Sequence, residues 1–145
     1  SWQHAINYCQ KKFGKFDKFI SLPATSPLKK ESDIKKCIKL LDKKTDAVIT
    51  ITQSHRSPWF NMVKKNLNYL SLVNSGSKHI NRRQDAPEVF DMTTICYALK
   101  PNFILENKSI WEGRVKGLHV PLHRSIDIDD MYDFKLAEFM SKELK

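Results

Sequence analysis

The apolar and polar positions of the chain repeat with two different periods, which together predict alternating helices and strands. Apolar residues recur at helical spacing over residues 2–13 and again over residues 34–41, so both segments are predicted to be amphipathic helices. Residues 16–22 and the β-branched run of residues 47–51 are typical of buried strands. Because helices and strands of these lengths alternate, the sequence predicts an α/β fold with a doubly wound, mostly parallel sheet.

Beyond residue 55 the pattern changes to shorter strand-like pieces separated by polar turns. The polar loop over residues 74–88 is long for a compact domain, and loops of that length are usually functional or disordered. Strands are predicted over residues 59–63, 69–73, 93–99 and 118–122, a helical turn over 103–106 and a closing helix over 131–144.

The most informative stretch is Arg-Ser-Ile-Asp-Ile-Asp-Asp at residues 124–130, because its alternation has the period of a strand. On strand geometry its isoleucines share one face, and Asp127 and Asp129 share the other with their Cα atoms roughly 6–7 Å apart. Two carboxylates so close repel each other unless a cation binds between them, and oxygen-only ligands suit Mg2+. The alternative is a solvated strand end before a helix whose dipole favours Asp130 and Asp133 in its first turn.

A second candidate is the segment Pro-Ala-Thr-Ser-Pro at residues 23–27. It follows a predicted central strand, and in doubly wound sheets ligands bind beyond the carboxyl ends of the strands. Thr25 and Ser26 offer hydroxyl and backbone donors there. The alternative is an ordinary turn, stiffened by proline, that supplies a helix cap.

A third candidate is the adjacent pair Arg82 and Arg83, in a chain whose basic residues are mostly lysines. Arginine presents a planar fork that grips a carboxylate or phosphate at two points, which lysine cannot do. The pair therefore indicates a geometric requirement for binding an acidic group. The alternative is an exposed pair that forms ion pairs with Asp85 or Glu88.

The composition of the chain disfavours one class of partner but does not identify a function. An apolar content of 41% is enough for the core of one domain. The formal net charge of +9 favours acidic partners, but the lysine pairs are spread over separate predicted elements and are not interleaved with aromatic residues, so nucleic-acid binding is not favoured. A basic α/β nucleic-acid-binding module and a non-catalytic assembly domain are kept as the two alternatives to an enzyme.

Cysteine usage and hydropathy indicate a cellular compartment. The three cysteines lie among apolar residues without ligand spacing, which is typical of buried thiols in a reducing environment. No apolar run approaches the length of a membrane span. We therefore expect a cytoplasmic protein with no membrane partner.

Four segments resemble, in order and spacing, motifs of the acylneuraminate cytidylyltransferases, the CMP-sialic acid synthetase family. They are residues 22–28 (Leu-Pro-Ala-Thr-Ser-Pro-Leu), residues 55–63 (His-Arg-Ser-Pro-Trp-Phe-Asn-Met-Val), Arg82-Arg83-Gln84-Asp85 with Pro87-Glu88, and residues 125–129 (Ser-Ile-Asp-Ile-Asp). The resemblance covers essentially the whole chain, and four motifs in register are far more specific than any one of them. It strengthens the Mg2+ interpretation of the acidic pair.

The resemblance implies a Rossmann-like nucleotidyltransferase. In such an enzyme the anomeric hydroxyl of a nine-carbon 2-keto sugar acid attacks the α-phosphate of CTP to give the CMP-sugar and pyrophosphate. The implied cofactor is Mg2+, held by Asp127 and Asp129. The other implied site residues are Arg83 and Arg82 for catalysis, Ala24, Thr25 and Ser26 for nucleotide binding, and Gln84, Tyr97 and Asn61 for substrate binding.

Two departures from the family pattern bear on substrate specificity. Pro23 stands where many members have Gln, and Thr93-Thr94-Ile95 stands where many have Asn-Gly-Ala. Contacts made by those side chains in other members therefore do not carry over to this chain.

The family's homodimers imply that residues 55–120 include a small dimerisation and sugar-binding insertion, with Trp59, Phe60, Phe90 and Trp111 as apolar anchors. The family also opens with a strand and a loop that grips the triphosphate, and nothing in this sequence corresponds to them. We therefore expect residues 1–145 to be a partial domain, the C-terminal two-thirds of such an enzyme, and to be inactive alone.

Overall fold

A computed structural model describes residues 2–74, 80 and 82–143 of the chain. The chain divides into two compact units. The α/β unit is formed by the residues before 53 and after 91, and the small unit is formed by Gln53–Asp91.

Helices and strands alternate in the N-terminal half, as predicted. In chain order the elements are α1 (Trp2–Phe13), β1 (Phe19–Ser21), α2 (Glu31–Leu40), β2 (Ala47–Gln53), β3 (Val63–Asn66), β4 (Tyr69–Leu72), β5 (Phe90–Leu99), α3 (Pro101–Glu106), β6 (Val115–His119) and α4 (Met131–Glu143). Short 3-10 turns lie at Arg83–Asp85, Ile110–Glu112 and Leu122–Arg124.

The sheet of the α/β unit has the strand order β1-β5-β2-β6. β2 and β6 are parallel, with Thr50 opposite Leu118. β1 is antiparallel to β5, with Ser21 opposite Tyr97. Mixed pairing of this kind is common in large α/β sheets, and the predicted α/β class is confirmed.

Two apolar clusters pack helices against this sheet. α2 contributes to the first cluster, and α1 and α3 contribute to the second. Along β5, Cys96 belongs to the first cluster and Tyr97 to the second, because successive side chains of a strand point to opposite faces. Helices therefore cover both faces of the sheet. Cys37 and Cys96 are buried as predicted, whereas Cys9 is half-buried.

The prediction of a strand over residues 59–63 is wrong for most of its length, because this stretch forms a turn. The carbonyl of Ser57 accepts hydrogen bonds from the backbone N–H groups of residues 60–62 at 3.0–3.1 Å. Pro58, with its fixed φ, favours this turn. β3 consequently begins only at Val63.

The strand period at the acidic stretch does not produce a strand either, since residues 125–128 have no regular secondary structure. β6 ends at His119, earlier than predicted, and the 3-10 turn Leu122–Arg124 follows it. The N–H of Ile128 donates 2.9 Å to the carbonyl of Thr25, which lies in a loop and offers no ladder to extend.

The small unit contains the antiparallel hairpin of β3 and β4. Val63 pairs with Leu72 and Asn66 with Tyr69. At the tip Leu67 has φ 54°, the left-handed conformation that glycine adopts more readily. Most of β5, with α3 and β6, lies within residues 55–120 but belongs to the α/β unit.

Candidate functional site

Two of the predicted ligand-binding segments lie against each other in the α/β unit. The β1 loop (residues 22–30) connects β1 to α2, and the acidic segment (residues 125–130) leads into α4. The hydrogen bond from the Ile128 N–H to the Thr25 carbonyl joins the middle of one to the middle of the other. The topology therefore brings the predicted nucleotide loop to the predicted metal ligands.

The β1 loop is held by its own side chains. Lys29 Nζ donates to the carbonyls of Pro23 and Ser26, at 2.7 Å each, and so closes the loop on itself. Ser26 is fully buried, and its hydroxyl lies 2.5 Å from Thr94 Oγ1 on β5. The hydroxyl and the carbonyl of Ser26 therefore both have protein partners, and in this structure the residue holds the loop in place.

Ala24 and Thr25 are exposed at the surface of this loop. Their position beyond the carboxyl end of β1 is the one expected for ligand contacts in a doubly wound sheet. They form the accessible part of the predicted nucleotide-binding segment.

In the acidic segment, Asp127 and Asp129 differ in environment. Asp129 is exposed, whereas Asp127 is half-buried and lines a cleft of about 550 Å3 beside α4. The Oδ1 atom of Asp127 is buried and has no hydrogen-bond partner among the described residues. Since a buried carboxylate oxygen without a partner is costly, a cation at this atom would satisfy it. The donor set, carboxylate oxygen alone, is the one Mg2+ prefers, so the residues fit that ion.

The neighbouring carboxylates have a different role. Asp130 Oδ1 accepts hydrogen bonds from the backbone N–H groups of Tyr132 (2.7 Å) and Asp133 (3.0 Å). In return Asp133 Oδ2 accepts from the N–H groups of Asp129 and Asp130. This reciprocal cap begins α4. The alternative that placed Asp130 and Asp133 at the start of a helix thus holds for these two residues, and the cap does not use the carboxylate of Asp127.

A buried ion pair fixes the start of the acidic segment. Arg124 Nη1 and Nη2 donate to the two carboxylate oxygens of Asp33, the second bond measuring 3.1 Å. Asp33 Oδ2 also accepts from the backbone N–H of Lys30 at 3.1 Å, at the start of α2. The same carboxylate therefore binds both the end of the β1 loop and the turn before the acidic segment.

Tyr97 on β5 is half-buried near Asp127. Its ring packs against Trp2 with centroids 5.1 Å apart. Burial raises the pKa of Tyr97, and the negative charge of Asp127 raises this pKa further. Tyr97 lines a separate cleft of about 550 Å3, with Trp2, Gln3, Met92, Ile104, Asn107, Lys108, Ser109 and Ile110.

The remaining predicted site residues lie in the small unit. Arg82 and Gln84 are exposed, and Gln84 lines a cleft of about 200 Å3 that also includes Arg56. Arg83 begins a 3-10 turn, and its side chain lies outside the described part of the structure. Asn61 Oδ1 accepts from the Ser57 N–H at 2.7 Å, so its carbonyl oxygen supports the local turn.

Sequence reasoning missed three residues that shape the site: Lys29, Asp33 and Arg124. Asp33 carried a local signal, because it lies three residues after Lys30, the spacing at which a first-turn carboxylate reaches back to the preceding backbone. No local pattern pairs Asp33 with Arg124, since they are 91 residues apart. Among the described residues, no three His, Cys, Asp or Glu side chains converge on a metal position, and no helix has the length and apolar character to cross a membrane.

Comparison with known proteins finds relatives of this chain. It is 33% identical over 130 residues to post-translational flagellin modification protein B of Campylobacter coli, a match covering 88% of this chain and 54% of the relative. It is 36% identical over 94 residues to CMP-N,N'-diacetyllegionaminic acid synthase of Campylobacter jejuni, covering 64% of this chain and 39% of the relative. These relatives support a cytidylyltransferase family for the chain.

The fold also resembles that of a solved structure. The solved structure of 4-diphosphocytidyl-2C-methyl-D-erythritol synthase from Anaerococcus prevotii aligns with a TM-score of 0.58 at 16% identity, over 89% of this chain and 59% of that one. No protein-family model matches the sequence. The chain spans about half the length of the curated relatives it matches.

Within this chain, the α/β unit holds the predicted nucleotide segment, the predicted metal ligands and Tyr97. Arg82, Arg83, Gln84 and Asn61 belong to the small unit. The individual roles of these residues remain predictions from the resemblance.

Proposed function

We propose that the protein transfers the cytidylyl group of CTP to the anomeric hydroxyl of a nonulosonic sugar acid in an Mg2+-dependent reaction. One observation carries the proposal. The β1 loop and the acidic segment meet at the Thr25–Ile128 hydrogen bond, beside a buried oxygen of Asp127 that has no partner among the described residues.

In this reaction the sugar hydroxyl oxygen forms a bond to the α-phosphorus of CTP. The bond from that phosphorus to the oxygen bridging to the β-phosphate breaks, and pyrophosphate leaves. The protein must align the two oxygens and stabilise negative charge on the phosphates. The β1 loop, through Ala24, Thr25 and Ser26, would line the cytidine pocket, and Arg82 and Arg83 would bind an acidic group or developing charge.

Asp127 and Asp129 would hold Mg2+. When bound, the ion neutralises charge on the phosphates of the nucleotide. Asp127 suits this role because its buried oxygen lacks a partner among the described residues, and Asp129 offers an exposed carboxylate two residues further on.

The name of a relative and the net charge of the chain both support a sugar acid as the second substrate. The name of the Campylobacter jejuni relative supports a legionaminic-acid-type substrate. A net charge of +9 also suits two anionic substrates. Tyr97, Gln84 and Asn61 are proposed as contacts to the sugar.

A homodimer is proposed from the surface of the small unit. Val63, Leu67, Tyr69 and Leu70 of the β3–β4 hairpin are exposed, Leu67 and Tyr69 by 84% and 80%. By the strand register, Val63 and Leu70 share one face of the hairpin and Tyr69 lies on the other. Exposed apolar side chains concentrated on one short hairpin favour an interaction surface there. Among the predicted anchors, Phe90 and Trp111 are exposed, and Trp59 and Phe60 are half-buried.

The test is an assay of the full-length protein with CTP, Mg2+ and a panel of nonulosonic acids that includes legionaminic and neuraminic types. Pyrophosphate release with formation of a CMP-sugar is the expected result. Absence of release with tight, salt-dependent binding to nucleic acid would instead favour the basic binding module. An inert protein that still dimerises would favour an assembly domain.

A further inference from the structure

We infer that the buried ion pair between Arg124 and Asp33 is the positioning element of the acidic segment, and through it of Asp127. The inference rests on the proposed function, in which Asp127 binds a divalent cation. Neither Arg124 nor Asp33 is assigned a contact with substrate or metal, so both are positioning residues.

The acidic segment needs such an element because it has no ladder of backbone hydrogen bonds. Its downstream end is fixed by the reciprocal cap of Asp130 and Asp133, and its middle by the Ile128 N–H bond to Thr25. Asp127 lies three residues after Arg124 and before either of these contacts. Ser125 is held within the 3-10 turn, where its N–H and Oγ donate to the Leu122 carbonyl at 3.0 and 2.8 Å. Without an anchor on that turn, the backbone of residues 126 and 127 would keep much of its conformational freedom.

The ion pair has the geometry to provide that anchor. The side chains of Arg124 and Asp33 are only 11% and 4% exposed, and the guanidinium holds both carboxylate oxygens. Asp33 also accepts the N–H of Lys30, the last residue of the β1 loop. Displacement of Arg124 would therefore disturb the alignment between the two segments that meet at Thr25 and Ile128.

Stability alone is a weak reason for such a pair. Burying two charges is costly, and replacing a buried ion pair with apolar residues of similar volume is often neutral or stabilising. Apolar residues do not reproduce the two-point geometry with which the guanidinium of Arg124 binds the carboxylate of Asp33. This difference allows positioning to be separated from stability by experiment.

The chain supplies a matched control at the other end of β6. Arg114 also holds an aspartate at two points, with Nε 3.1 Å from Asp46 Oδ2 and Nη2 3.3 Å from Asp46 Oδ1, but its side chain is 64% exposed. Arg114 precedes β6, whereas Arg124 lies in the turn that follows it. The same substitution at both sites compares two arginine–aspartate pairs, one of which adjoins the acidic segment.

The experiment compares Arg124→Lys with Arg114→Lys in the full-length protein. Hydrogen exchange of the Ile128 amide, followed by NMR, should be about tenfold faster in Arg124→Lys than in wild type. Binding of Mn2+, measured by electron paramagnetic resonance as a stand-in for Mg2+, should weaken about tenfold, as is typical when a residue that orients a metal ligand is changed. Arg114→Lys should change neither quantity.

A double variant, Asp33→Leu with Arg124→Met, covers the case in which a lone charge left in the core prevents folding. It should keep the thermal unfolding temperature of wild type and still bind Mn2+ about tenfold more weakly. Wild-type Mn2+ affinity in this variant, or unchanged Ile128 exchange in Arg124→Lys, would overturn the inference. If Asp127→Asn does not weaken Mn2+ binding, the metal assignment of the proposed function fails, and the Ile128 exchange rate alone decides the positioning role.

Discussion

The α/β unit and the small unit differ in where their apolar residues lie. All the buried apolar side chains of the described residues belong to the α/β unit, on its strands and helices or beside them. In the described part of the small unit, the buried side chains are Ser54 and Ser57, and β3 is exposed along its whole length. A two-stranded hairpin without a core is marginally stable on its own.

This difference divides the predicted site residues into two classes. Ser26 and Tyr97 are held by hydrogen bonding or packing in the α/β unit, and Asp127 is half-buried there. Arg82 and Gln84 are exposed in the small unit. Preorganised groups lose little entropy when they bind, whereas exposed groups must be ordered by the substrate or by a partner surface. We therefore expect metal and nucleotide binding to depend on the α/β unit, and sugar choice and assembly to depend on the small unit.

The largest expected effect tests the metal ligands of the α/β unit. Asp127→Asn in the full-length protein should lower turnover about 100-fold or more, because the charge that binds the cation is lost while the shape is kept. Steady-state kinetics at limiting Mg2+ provide the measurement, and circular dichroism checks the fold. Asp130→Asn is the matched control, since asparagine caps helices about as well as aspartate, and its turnover should stay near wild type. Equal effects at both positions would remove the distinction between ligand and cap.

A smaller effect is expected from the arginine pair of the small unit. Arg83→Lys keeps the charge but loses one charge-assisted hydrogen bond, worth about 1.5–3 kcal/mol, so kcat/KM should fall about tenfold or more. Arg114→Lys, in an exposed ion pair of the α/β unit, is the control and should leave kcat/KM unchanged. An unchanged kcat/KM in Arg83→Lys would make Arg83 an ordinary surface residue.

Assembly gives the next prediction. Tyr69→Ser removes an aromatic side chain that is 80% exposed in the hairpin, so the free energy of unfolding of the protomer should change by about 0.5 kcal/mol or less. If the hairpin lies in the dimer interface, the dimer should weaken by about 2 kcal/mol, and sedimentation at micromolar concentration should show monomer. Tyr132→Ser, at a similarly exposed tyrosine on α4, is the control and should leave the dimer intact.

The two units also differ in how well the sequence predicted them. The helix and strand periods of the apolar residues correctly predicted α1, α2 and β2 of the α/β unit. Residues 2–13, 34–41 and 47–51 each bury one face or both in the apolar clusters. In the small unit the apolar residues of 59–63 suggested a strand, but Pro58 and the Ser57 carbonyl impose a turn. The spacing of apolar residues predicts a helix or strand reliably only where the segment packs against a hydrophobic core.

The acidic segment shows a further limit of sequence reasoning. The alternation at residues 126–129 predicted a strand, yet the segment is irregular. Its conformation is set by Arg124 binding Asp33 and by Ile128 binding Thr25, contacts between residues far apart in the chain. The proximity of the acidic segment to the β1 loop followed from the family resemblance, whereas the ion pair that holds it required the structure.

A finer prediction tests the proximity of Tyr97 and Asp127 within the α/β unit. Asp127→Asn removes a negative charge that disfavours the phenolate, so the pKa of Tyr97 should fall, while burial keeps it above its ordinary value. Ultraviolet absorbance of the phenolate, titrated against pH and compared with a Tyr97→Phe variant, isolates this group. Asp130→Asn should leave the pKa of Tyr97 where it is in wild type. A Tyr97 pKa that does not respond to Asp127→Asn would separate the two residues and weaken the assignment of both to one site.

The smallest effect concerns acid stability of the α/β unit. Hydrogen bonds from Lys116 and Thr45 lower the pKa of Asp42 to about 2, and Arg114 lowers the pKa of Asp46 below its usual range. Because both pKa values are lower in the folded state, the contribution of these carboxylates to stability is complete above the unfolded value of about 3.9 and is lost as the pH falls toward about 2.

Thermal unfolding should therefore be followed from about pH 5 to about pH 2, and its midpoint should fall over that range. The variant with Asp42→Asn and Asp46→Asn should begin with a lower midpoint at neutral pH and show a flatter decline. Glu143→Gln, an exposed position at the end of α4, should keep the wild-type slope. An equally steep decline in the double variant would mean that other carboxylates govern the acid limit, and the ion pairs of Asp42 and Asp46 would then be features of the surface alone.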